Sequence, residues 1–307
     1  MPIPEAVVIG VYAMVDEFQA AHLPPVRRRG GRRPALHRSE VLTLALLGQL
    51  GGFASERAFY RFVDAEWRHL FPRLPSRVQL NAAVRGQAGA LVAFGRACAR
   101  RLDALTAEYE VLDCTAVPLR TAQRRGAGAM PEVVARGKSG RLGWFVGVRL
   151  LLAVTPAGVV TGWGIAPGNE QDRLLADALL AERAAPEQAL PSAGRPASGV
   201  YLADSGFAGR AARARWAELG ADVLAPPQRG SGDRWAKPVR ALHRSRRQIV
   251  ETVFARLHGP FRLERDRPRS LGGLLARIAA KIALSNALIR LNHDAGRPGL
   301  TLAGVVM

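Results

Sequence analysis

Through the first hundred residues apolar side chains recur every three to four positions. Residues 6–18, 39–50, 55–70 and 87–105 each keep that period, which predicts four amphipathic helices. Ser39 and Ser55 stand where N-caps belong, and Arg57 and Arg61 fall on the solvent side of the third helix. From Glu108 onward the pattern changes to short β-branched or aromatic runs bounded by Gly and Pro. These runs, at 109–114, 144–155, 159–166, 199–204 and 221–225, predict five strands. Helical spacing returns at 172–183, 209–219, 242–258 and 271–292. Three strands followed by alternating helices and strands predict an α/β fold, a mixed sheet flanked by helices and preceded by an all-helical N-terminal region.

Between these elements lie three segments of different character. Residues 24–34 hold no acid, are broken by Pro and Gly, and carry Arg27, Arg28, Arg29, Arg32 and Arg33. They read as a basic arm, spanning 24–38. Residues 186–199 form an Ala/Pro/Gly-rich loop, and 226–240 a second long loop with Arg229, Arg234, Lys237 and Arg240. The expected organisation is a helical region over 1–106, an α/β domain over 107–292 and a short tail over 293–307.

Charge then narrows the partner. The 307 residues include 44 Lys+Arg against 25 Asp+Glu, a formal charge of +19, so a polyanion is expected. An apolar fraction of 48% excludes a disordered basic tail. Cys98 and Cys114 form no CxxC pair, which excludes a disulfide framework and a cysteine zinc site and points to a reducing compartment, the cytoplasm. Arg149 divides one apolar stretch and Arg277, Lys281 and Arg290 another, so no membrane span is expected.

Several catalytic motifs are absent. Gly137-Lys138-Ser139 resembles the end of a phosphate loop, but the position of its first glycine holds Glu132. There is no HExxH and no GxSxG. What remains is carboxylates at strand ends. Asp113 closes the first expected strand and Asp204 the fourth, where open α/β sheets place their ligands. Two acids there call for a cation between them. On the helix expected over 242–258, Ile249, Val250, Val253, Phe254 and Leu257 make an apolar stripe, and Glu251 borders it in a row with Arg244, Arg247 and His258. That arrangement suits a metal-binding carboxylate whose neighbours grip phosphates. Asp172 reads as a helix N-terminal acid complementing the dipole, Asp103, Asp177 and Asp222 as solvated acids, and Trp144 and Trp163 as strand packing. A helix-turn-helix over 39–70 is a further candidate DNA-binding element.

Three segments carry a family resemblance: Leu112-Asp113-Cys114-Thr115-Ala116-Val117-Pro118, Leu202-Ala203-Asp204-Ser205-Gly206-Phe207, and Arg247-Gln248-Ile249-Val250-Glu251-Thr252-Val253-Phe254. With residues 143–172 and the upstream Ser39-Glu40-Val41-Leu42-Thr43-Leu44 and Leu74-Pro75-Ser76-Arg77, the chain resembles the DDE transposases of bacterial insertion sequences over roughly residues 38–291. The resemblance implies an RNase H-like catalytic domain with Asp113, Asp204 and Glu251 as its metal-binding triad. It implies two Mg²⁺ ions about 3.5–4 Å apart, with Mn²⁺ as a substitute. It also implies cleavage at the element's ends and transfer of the freed 3′-hydroxyl to target DNA. Arg244 and His258 stand where many relatives carry tyrosine and lysine, and Cys114 where many carry serine. The expected partners are double-stranded DNA, both element ends and target, and a second copy in a homodimer. DNA contacts are expected from Arg234, Lys237, Arg240, Arg244, Arg247, His258 and the arm. The expected location is the prokaryotic cytoplasm, at the nucleoid. Two alternatives stay open: an RNase H-like nuclease or resolvase without strand transfer, and a non-catalytic transposase-derived DNA-binding protein.

Overall fold

A computed structural model describes residues 3–24, 34–50, 53, 55–120, 130–185, 196–228, 234–265 and 267–302. The arm arginines Arg27, Arg28, Arg29, Arg32 and Arg33, and Arg229 of the second loop, lie outside the described residues. Among the described residues the elements are α1 (Glu5–His22), α2 (Arg38–Leu47), α3 (Glu56–Glu66), α4 (Arg77–Arg85), α5 (Ala88–Arg101), β1 (Tyr109–Arg120), β2 (Ala135–Ser139), β3 (Gly143–Val154), β4 (Val160–Pro167), α6 (Asp172–Ala184), β5 (Gly199–Ala203), α7 (Arg210–Glu218), β6 (Ala221–Leu224), α8 (Lys237–His258) and α9 (Leu271–Asp294). The chain divides into two compact units. One holds residues 1–98, 259–262 and 272–307, the other 99–258 and 263–271.

The helical unit takes in α9, which the reading of 107–292 as one domain had placed with the sheet. The reason lies in the charges that interrupt its apolar run. Lys281, 2% exposed, donates to Gln49 Oε1 at 2.7 Å and to the Phe261 carbonyl at 2.6 Å. Arg290 donates to Glu17 at 3.1 Å, and Arg277 pairs with Glu56. Each cation therefore has a partner outside α9 within the same unit, and Arg290 pairs in addition with Asp294 and Arg277 with the Gly273 carbonyl inside the helix. Asn286 reaches the Gly95 carbonyl at 3.1 Å. A Cβ on Gly95 would lie 3.2 Å from the Ala283 backbone, so that glycine lets α5 and α9 approach closely.

Ser55 caps α3 by accepting from the Ala58 N–H at 3.2 Å, and Arg57 and Arg61 are exposed. Ser39 instead lies buried in the first turn of α2, whose N-cap is His37. Of the candidate helix-turn-helix over 39–70, α2 and α3 are both present, and residues 51, 52 and 54 between them lie outside the described residues.

In the second unit β3 is the long central hairpin strand. One side of it pairs antiparallel with β1, and the other takes β2 along residues 143–147 and β4 along 148–154. Beyond β1 the sheet continues in parallel through β5 and β6. This is the mixed, helix-flanked sheet that the RNase H-like expectation describes. Leu112, Leu151, Tyr201, Ala203 and Val223 pack with Leu175, Leu179, Ala212 and Trp216 of α6 and α7. Val250, Val253 and Leu257 of α8 are fully buried, while Ile249 and Phe254 of the expected stripe are half-buried.

Two strand expectations change. β1 runs on to Arg120 rather than ending at Cys114, because β3 pairs with it from Val111 to Arg120. β2 is an additional strand, formed where alternation was hidden by glycine and charge: Gly137 is buried while Arg136 and Lys138 are exposed. A Cβ on Gly137 would meet the Gly168 carbonyl oxygen at 1.8 Å, so only glycine allows this backbone contact. Lys237 and Arg240 lie in the first turn of α8 rather than in a loop, since Pro238 is tolerated at a helix start.

Candidate active site

Asp113 and Asp204 meet through strand register. The parallel ladder of β1 and β5 ends at Leu112 paired with Ala203, and the next residue on each strand is the aspartate. Side chains alternate across a sheet. Asp113 consequently turns to the α8 face and Cys114 to the α6 face, where it packs on the core.

On the α8 face, Arg247 donates to Asp113 Oδ2 at 3.0 Å, both side chains being largely buried. The Cys114 N–H donates to Asp113 Oδ1 at 2.8 Å. Past β5, the Asp204 carboxylate accepts from the Gly206 N–H at 2.8 Å and fixes the turn that follows. On the α6 face stands Asp172, the first residue of its helix. Arg149 donates to its Oδ1 at 2.9 Å, and the Cys114 thiol also bonds to it. A Cβ on Gly206 would lie 2.9 Å from Asp204 Oδ1 and 3.5 Å from Asp172 Oδ2, so these two carboxylates are neighbours across one glycine.

The electrostatics reflect three acids around one spot. Burial pushes the Asp113 carboxyl up from 3.8 to about 6, with Asp204 and Asp172 adding to the shift and Arg247 opposing it. Burial also raises Asp172, against the pull of Arg149 and the thiol hydrogen bond, with Asp204 adding to the rise. The Cys114 thiol is raised well above its usual range by burial and by Asp172 and Asp113, so it stays protonated and inert. Folded Asp113 thus holds its proton at a pH where the unfolded chain has lost it. In a chelator, stability should fall as pH rises from about 4 to about 6 and change no further on this account above that. Thermal melts of wild type and Asp113→Asn at stepped pH test this, and a constant difference between the two across that window would contradict it.

The other expected site residues are placed as follows. Glu251, one turn beyond Arg247 on α8, is exposed and has no ion pair or hydrogen bond among the described residues. Among the described residues no group of three or more His, Cys, Asp or Glu side chains is arranged to hold a metal. Arg244, Arg234, Lys237 and Arg240 are exposed, open to an anion. Arg247 faces Asp113 rather than a phosphate track, because its position on α8 borders the buried stripe. His258 is also turned inward. Its Nε2 lies 2.9 Å from Thr115 Oγ1 and its Nδ1 2.9 Å from Glu264. Burial and nearby Arg141 lower it to about 4, against Glu264, so at neutral pH it carries no charge for DNA.

Asp172 is the helix N-terminal acid that was expected, and its pairing with Arg149 beside Asp204 was not foreseen. The signal was present in Arg149, a lone charge inside an otherwise apolar strand. Asp177 is a tether rather than a solvated acid, accepting from Trp216 Nε1 at 2.5 Å and from Arg215 at 2.8 Å. Trp144, expected to pack, is 56% exposed.

The model of the Transposase DDE domain matches residues 111–287, more than half of the chain. No curated protein matches. Among solved structures, a chain of "Crystal structure of a pre-cleavage Mos1 transpososome" aligns at 13% identity over 91% of this chain and 85% of its own, with a TM-score of 0.22. That likeness is too loose to bear on fold or activity.

Proposed function

Because the chain belongs to the Transposase DDE domain family, we propose that it is a DNA transposase that cuts the ends of its element and joins the freed 3′-hydroxyl to target DNA. The observation that carries this is the register of β1 and β5, which sets Asp113 and Asp204 side by side beyond the parallel ladder. Their hard oxygen donors, together with Asp113's raised carboxyl, suit a divalent cation such as Mg²⁺ better than two lone charges. Asp113 and Asp204 would hold it, with Glu251 as the third carboxylate. When bound, it supplies activation of the attacking oxygen and stabilisation of the leaving 3′-oxygen.

The chain's own residues do the rest. Arg247 holds one oxygen of Asp113, and the Cys114 N–H holds the other, so the carboxylate keeps one orientation. The Gly206 N–H does the same for Asp204. Exposed Arg244, Arg234, Lys237 and Arg240 supply attraction to phosphates, which should make affinity fall with salt. No helix among the described residues is long and apolar enough to cross a membrane.

The test uses a plasmid carrying the gene with its native flanking DNA, incubated with the purified protein and Mg²⁺. Excision at discrete boundaries, with joined products in a second plasmid, is the expected result. Cutting without joining would make the chain a nuclease, and binding with neither would make it a non-catalytic DNA-binding protein.

A further inference from the structure

Resting on the DNA reading above, we propose that the outer face of the β2–β3 hairpin, formed by Arg136, Lys138 and Trp144, grips the DNA phosphate backbone beside the acids. Lys138 and Trp144 are direct cross-strand partners, and Arg136 lies two residues before Lys138, on the same face. All three are exposed. The Arg136 guanidinium lies 4.6 Å from the Trp144 ring centroid and the Lys138 ammonium 5.9 Å from it. Neither cation has a carboxylate partner among the described residues.

A tryptophan more than half exposed on an edge hairpin gains little from packing. Its evident work is to hold two cations in place, which lowers the ordering cost when they meet an anion. Arginine adds a planar fork that fits a phosphate. The inner face is fixed from behind, because Gly137 abuts Gly168 too closely to admit a Cβ.

The hairpin also lies next to the acid cluster. Arg149 donates to the Lys138 carbonyl at 3.1 Å with one nitrogen and to Asp172 at 2.9 Å with another. A single guanidinium therefore separates the Lys138 backbone from the carboxylate beside Asp204. A polyanion drawn to the exposed cations would have its backbone brought toward the two aspartates.

The experiment measures binding of the full chain to a short mixed-sequence DNA duplex across several salt concentrations. Removing both charges, in Arg136→Gln with Lys138→Gln, should make the salt dependence shallower by about two phosphate contacts. Trp144→Ala removes no charge, yet should weaken binding by about three- to tenfold, and Trp144→Phe should keep most of it. All these side chains are exposed, so the variants should melt with the wild type. If the wild type binds and these isotherms are unchanged, the hairpin proposal fails while the transposase reading stands. If the wild type does not bind DNA, both fail. A change confined to self-association of the free protein would make this face a contact between copies and overturn the proposal.

Discussion

Asp204→Asn and Asp113→Asn should each lower metal-dependent DNA cleavage by at least about 100-fold, since even the partners that merely orient metal ligands cost 10–100-fold when lost. On the proposed reading DNA affinity should stay within about twofold, because exposed basic residues rather than these acids would supply it. Asp113→Asn should in addition make the metal-free protein more stable at neutral pH. Burial and two neighbouring carboxylates disfavour its charge, and Arg247 only partly offsets them. Higher stability with lost activity is the signature of a site held for chemistry rather than for folding. Cleavage and binding measured on the same preparations, with a melt beside them, separate these effects. Retained cleavage in Asp204→Asn would remove that residue from the site.

The second large effect lies away from the acids. Arg183 of α6, 5% exposed, is paired with Glu110 of β1, 0% exposed, at 2.5 Å. Thr161 and Tyr201 complete the network, Thr161 donating to Glu110 and Arg183 reaching the Tyr201 hydroxyl at 3.1 Å. Arg183→Met would leave the Glu110 charge buried without its counterion, and should cost about 3–5 kcal/mol. Adding Glu110→Gln should recover part of that loss, because no uncompensated charge then remains. Denaturant unfolding at fixed pH measures both. A loss under about 1 kcal/mol for the single variant would mean that water or another group takes the arginine's place.

Side-chain periodicity alone located most elements, because the helices and strands of this chain each bury one face. Beside α4 (Arg77–Arg85), a helix the pattern did not give, two exceptions follow from the same rule. β2 has glycine where its inward side chain would be, so its alternation shows no apolar residue. α9 is apolar nearly all round, and periodicity cannot say which neighbours cover such a helix. Its membership of the helical unit was decided by where Lys281, Arg277 and Arg290 find partners, and those partners lie far away in sequence.

The site divides in the same way. Residue types and their spacing already set out the chemistry available: a strongly basic chain, aspartates at the ends of two strand-like runs, and a glutamate among arginines on an amphipathic helix. Those are properties of residue type and short-range spacing. Which groups share a space followed from the folded arrangement alone. Parallel register put Asp113 and Asp204 abreast, and the start of α6 brought Asp172 and Arg149 beside them. The turn of α8 committed Arg247 to Asp113 and left Glu251 in solvent. His258 was drawn to Thr115, 143 positions earlier in the chain. Such contacts depend on register and on packing between elements distant in sequence, and a shift of one residue along β1 or β3 would turn Asp113, Thr115 or Arg149 to the opposite face.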